Sequence, residues 1–194
     1  MKKKKPGFTL MEMMIALAIT VIILGIASSM FIAGNKVFSN SDVKTTLQME
    51  GQAIQEKISD IGMQATGIES VKPSTDNDNT NEIDNISINS YYKTTEAGAS
   101  YDLRIEKSDS GKTYKDGISK IYQLFIVNTL TSDKILISSN VKSLKIDNDV
   151  ITANTNNPLK NINSIEFTIV LRKEKGYDDV EQTINFRVAF RNKE

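Results

Sequence analysis

The chain has 194 residues, enough for one medium domain plus an appendage, and its 24 Lys and Arg balance 24 Asp and Glu. That balance hides a split: Lys2 to Lys5 supply four of the basic residues, so 20 basic face 24 acidic over the rest, a mildly acidic remainder that does not support a grip on nucleic acid phosphates. Cys and His are both missing, which excludes disulfides, thiolate zinc sites, a lipidated cysteine and every catalytic scheme built on imidazole or thiol.

What remains for chemistry is carboxylate, amine, hydroxyl and phenol. No motif supports a carboxylate-pair hydrolase or a serine-lysine enzyme, so no catalytic residue, metal ligand or cofactor is assigned and the chain is read as a non-enzyme.

From Met13 to Gly34 none of the 22 residues is ionisable. At 1.5 Å rise per residue such a helix covers about 33 Å, enough for a hydrocarbon core of about 30 Å. The positive-inside rule puts Lys2 to Lys5 in the cytoplasm and the chain beyond about Asn35 outside. A secretory signal cut near Gly25-Ile26-Ala27 and an uncleaved signal anchor both explain lysines followed by a span. Neither explains Gly7-Phe8-Thr9-Leu10-Met11-Glu12, least of all a carboxylate carried into the apolar run.

Four lysines, then Gly7-Phe8-Thr9-Leu10-x-Glu12 and an unbroken apolar helix, resemble the class III signal of type IV pilins and type II secretion pseudopilins. The resemblance implies that a prepilin peptidase removes residues 1–7 by cutting between Gly7 and Phe8, and that the new amine of Phe8 is methylated. It implies an assembly role for Glu12, whose carboxylate would pair with the Phe8 amine of a neighbouring subunit and set axial register. The competing reading is that Glu12 snorkels to the headgroups. Ala16, Ala18, Gly25, Ala27, Ser28 and Ser29 either let membrane helices approach closely or are ordinary small residues of such a helix.

Beyond Gly34 the chain turns polar but keeps a stripe. Val43, Leu47, Ile54, Ile58, Ile61, Ala65 and Ile68 are spaced by 4, 7, 4, 3, 4 and 3, which predicts one apolar helix face over residues 35–70. Lys44, Gln48, Gln52, Gln55, Glu56 and Asp60 occupy the opposite face, and the stripe drifts too soon for a coiled coil. No Pro lies between Phe8 and Pro73, so a single helix can run to about Ile68, about 90 Å long. Gly51, Gly62 and Gly67 are the expected bends or early stops.

Residues 71–194 read as a β-rich domain. Lys72 to Asn81 is a polar loop; its Asp76-x-Asp78 invites calcium, but Asn81 and Ser87 stand where an EF-hand needs Gly and Glu, so it reads as a solvated linker. Alternation predicts strands at Ile86 and Ile88, at Tyr101, Leu103 and Ile105, at Lys134 to Ile137 and at Val141 to Ile146. Ile121 to Val127 reads as a strand covered on both faces. Asp147-Asn148-Asp149 is expected to turn the chain into a strand at Val150-Ile151-Thr152, and Tyr91-Tyr92 to end one. The clearest pair sets Ile165, Phe167, Ile169 and Leu171 against Ile184, Phe186, Val188 and Phe190 across a charged loop, Lys173 to Asp179. Gly98, Gly111, Gly117 and Gly176 stand singly and read as turns.

A helix followed by strands that pack on it predicts an α+β fold with an antiparallel sheet, and that is also the pilin fold the signal implies. The ending Phe186 to Asn192 resembles the closing strand of PilW-type minor pilins and of the J-type pseudopilin, and the missing Cys pair fits either a minor subunit or a lineage that avoids disulfides. The function implied is a structural subunit of a type IV pilus, a related filament or its initiating tip complex. Its implied partners are other pilin subunits, prepilin peptidase and the membrane assembly platform. Its implied location is a single-pass inner or cell membrane protein, exposed at the surface once assembled. The alternative is a membrane-anchored adhesin that never polymerises.

Overall fold

The computed structural model of the chain describes residues 7–74, 81–90, 101–128, 131–147, 149–151, 159, 162–175 and 178–190. Helix α1 spans Leu10–Gln64. Seven strands follow: β1 Ala65–Pro73, β2 Ile83–Ser90, β3 Tyr101–Thr113, β4 Lys120–Asn128, β5 Lys134–Ile146, β6 Ser164–Lys175 and β7 Asp178–Ala189. The chain divides into two units, Met1–Asp42 and Val43–Glu194.

In the first unit the described residues are Gly7 to Thr9 and the beginning of α1. In the second, the rest of α1 packs on a seven-stranded sheet whose neighbours follow chain order, all antiparallel. This is the expected α+β architecture. The sheet curls until the approach to β2 meets the end of β5, where Ile146 N–H donates to the Asn81 carbonyl over 3.1 Å. Val43, Leu47, Ile54, Ile58 and Ile61 of α1 are buried against Ile86, Ile105, Leu124, Leu144, Ile165, Phe167, Ile169 and Leu171, so the stripe has found its cover.

The helix ends earlier than the stripe suggests. Ala65 and Ile68 are buried, but on β1. Register shifts between Ala65 and Gly67 and between Ile68 and Ser70 bring residues three apart onto one face, so a bulged strand imitates helical spacing. Gly51 and Gly62 do not stop the helix. Both lie within α1 where it touches β7, and an added Cβ would collide with Ile184 and Val188.

Other boundaries differ as well. Lys134 to Ile137 and Val141 to Ile146 belong to one strand, β5, whose irregular register with β4 and β6 absorbs the break between them. Val150 and Ile151 are helical, because the Asp147 carbonyl takes the Val150 N–H over 3.2 Å and turns the chain before a strand can start. Strand β4 buries Tyr122, Leu124 and Ile126 on one face, while on the other Val127 is buried and Ile121, Gln123 and Phe125 are half-covered, so the second face is covered only in part.

The terminal hairpin pairs Ile165 with Val188, Phe167 with Phe186 and Ile169 with Ile184, as the alternation requires. Its loop is shorter than expected, for the ladder continues through Lys173–Val180 and Glu174–Asp179 to Lys175–Asp178. Gly117 turns the chain between β3 and β4 with φ of 69°, a left-handed conformation that favours glycine, and Gly111, φ 71°, sits at the β3 bulge. Lys2 to Lys5, Asp76, Asp78, Tyr91, Tyr92, Gly98, Thr152, Gly176 and Asn192 lie outside the described residues.

Candidate functional site

The first residues of the described chain form one local device. Gly7, Phe8 and Thr9 are non-helical, and α1 begins at Leu10, which makes Thr9 the N-cap and Glu12 the third helical residue. The Thr9 carbonyl accepts from Met13 N–H at 3.3 Å. Thr9 Oγ1 accepts the Glu12 N–H at 3.3 Å, while Glu12 Oε2 accepts the Thr9 N–H at 2.8 Å and its hydroxyl at 3.0 Å. Reciprocal bonding of this kind is a capping box, which satisfies two amides that a helix start leaves unpaired. The sequence carries the signal for this cap in Thr9-x-x-Glu12, inside the processing motif. Gly7 and Phe8 precede the cap, and Phe8 is 85 % exposed.

Behind the cap, the large apolar side chains from Leu10 to Phe38 are exposed along α1, and the helix is long and apolar enough to cross a membrane. Two of its hydroxyls are bonded within the helix: Thr20 donates to the Ala16 carbonyl and Ser29 to the Ile26 carbonyl, each over 2.8 Å. Nothing lies within 4 Å of a Cβ added at Gly25 or Gly34, so close helix approach there is open.

In the folded unit the densest polar group ties the β3–β4 turn to the terminal hairpin. Arg172 Nε donates to Asp179 Oδ2 at 2.7 Å, Nη1 donates to Asp116 Oδ2 at 3.3 Å, and the guanidinium stacks 4.1 Å from the Tyr114 ring centroid. Asp116 is held well below the usual carboxylate range by the Ser119 hydroxyl, by the Ile118 and Ser119 amides at 2.9 Å each, and by Arg172. Asp179 beside it raises the Arg172 guanidinium. Burial pushes the Tyr114 phenol up to about 12, against the pull of Arg172. Arg172 thereby fastens the β3–β4 turn to β7.

An amphipathic helix on a curled antiparallel sheet, led by a capped apolar segment, is an α+β pilin fold. Residues 2–28 match the family model of the prokaryotic N-terminal methylation motif. The match concerns the N-terminal segment alone and supports a likeness to type IV pilins and pseudopilins. The motif and the apolar helix together suggest a single-pass membrane anchor. No curated protein and no solved structure matches the chain.

Proposed function

We propose that the chain is a minor pilin or pseudopilin that assembles through α1 into a type IV pilus, a related filament or its initiating tip complex. The observation that carries this reading is the methylation motif at residues 2–28 leading into a helix whose apolar side chains are exposed among the described residues. Such a surface needs lipid or other helices around it. The leader ends at Gly7, prepilin peptidase releases Phe8, and the Phe8 amine becomes N-methylated. The amino end then faces the cytoplasm, the sheet stands outside, and the assembly platform supplies neighbouring subunits.

In that assembly Glu12 receives the Phe8 amine of a neighbour. Cleavage leaves Thr9 and Glu12 in the mature chain, so the capping box survives it. Both Thr9 bonds use Oε2, and the second carboxylate oxygen remains to accept an ammonium.

Mass spectrometry of the mature N-terminus tests the reading. Methylated Phe8 is expected; a chain beginning at Met1 or near Ser28 overturns it. Glu12→Val should insert normally yet fail to enter filaments, and normal incorporation of that variant removes the role of Glu12.

A further inference from the structure

One polar pair is sealed inside the curled sheet and serves neither the membrane helix nor the hairpin clamp. Lys107 lies on β3 and Glu82 just before β2, and their side chains are 1 % and 2 % exposed. Lys107 Nζ stands 2.8 Å from Glu82 Oε1. Asp84 Oδ1 at 3.7 Å, Ser74 Oγ at 3.5 Å and the Tyr122 ring, centroid at 4.4 Å, complete its surroundings. Backbone register gathers these groups. Asn85 pairs with Glu106, so the next ladder step sets Asp84 beside Lys107, and Glu82, two residues away, shares its face.

Removing two charges from water is unfavourable, and apolar side chains of similar size would stabilise the sheet as well. A condensation between the two groups would abolish both charges at once. Contact at hydrogen-bond distance also places the amine next to the carboxyl carbon, the arrangement in which an intramolecular reaction gains most from proximity.

We infer that Lys107 and Glu82 condense into an intramolecular isopeptide bond, with Asp84 carrying the proton. The ammonium first gives one proton to the Glu82 carboxylate, leaving a neutral amine and a carboxylic acid. Nζ then attacks Cδ, and the new N–C bond leaves an excess proton on nitrogen. Asp84 takes that proton and passes it to the carboxyl hydroxyl, whose C–O bond breaks to release one water. An ammonium and a carboxylate thereby become a neutral amide and water, Asp84 ends unchanged, and no oxidant, reductant or co-reactant enters. The water has an exit, since Glu82 lines a cavity of about 570 Å³ and Lys107 one of about 270 Å³. Tyr122 lines both and shields the amine with its ring face.

The bond would brace the approach to β2 against β3, residues 25 apart in sequence, in a chain that has no cysteine for a disulfide. Intact-mass measurement of the purified full-length chain tests it, after allowance for leader removal and N-terminal methylation. The expected mass is one water below that of the sequence, and fragmentation of a protease digest should yield a branched peptide joining Glu82 to Lys107. Lys107→Met should return the missing water, and Asp84→Asn should leave most of the chain at full mass. Wild-type protein at full mass overturns the inference, as does a one-water deficit that fragmentation places elsewhere or that persists in Lys107→Met.

Discussion

Gly62 of α1 stands so close to Val188 of β7 that a methyl group on its Cα would overlap Val188 Cγ1. Gly51, about three turns earlier, meets Ile184 in the same way, with an added Cβ only 2.9 Å from Ile184 Cγ1. Two bare positions on the helix therefore let its backbone settle onto the last strand, where any larger residue would hold it off.

Gly62→Ala should destabilise the folded unit by about 1–3 kcal/mol through overpacking, despite alanine's better helix propensity. Val188 is buried and β-branched, so it has little room to give. Gly67→Ala is the control: nothing lies within 4 Å of its added Cβ, and the change should stay within about 1 kcal/mol. Denaturant unfolding of the detergent-solubilised variants distinguishes the two, and equal midpoints would remove the close-approach role of Gly62.

Arg172 connects Asp116 in the β3–β4 turn with Asp179 on β7. Lysine keeps the charge but not the planar fork, so Arg172→Lys should lose about 1–3 kcal/mol and loosen residues 115–119. Faster amide exchange at Ile118 and Ser119, whose N–H groups bond Asp116, is the expected local readout.

Tyr114 donates its hydroxyl to the Arg172 carbonyl over 3.2 Å and is nearly fully buried. Its folded pKa, raised from 10.0 to about 12, means that the native state holds the phenolic proton more tightly than the unfolded chain. That contribution is complete below pH 10 and is lost as pH rises through about 12. Unfolding free energy followed across this window should fall, and Tyr114→Phe should flatten the fall.

Thr9→Ala removes the side-chain half of the capping box and should weaken the start of α1 by about 0.5–2 kcal/mol. Thr9→Ser keeps the hydroxyl and should restore it. Hydrogen exchange at Met11 and Glu12 in micelles reports the difference, and unchanged protection in Thr9→Ala would count against the cap.

Much of the architecture is legible in the sequence. Twenty-two uncharged residues behind four lysines are a property of composition and length, and a helix long and apolar enough to cross a membrane follows from them without tertiary help. Stripe and alternation likewise predicted a helix laid on an antiparallel sheet, because burial on one face imposes its period on the chain wherever the backbone is regular. Where the backbone was irregular the period misled. Ala65 and Ile68 kept helical spacing on a bulged strand, and Val150 looked like a strand residue until Asp147 turned the chain.

Glycines, ion pairs and buried charges were a different matter. Nothing in the neighbourhood of Gly62 announces Val188, which lies 126 positions later, and nothing near Glu82 announces Lys107. Local pattern by itself determined the long apolar helix and the amino-terminal methylation motif, since both are written in consecutive residues. Close helix-strand approach, the Arg172 clamp and the sealed Lys107–Glu82 pair were decided by the tertiary structure alone, because pairing register and the curl of the sheet bring together side chains that the sequence keeps apart.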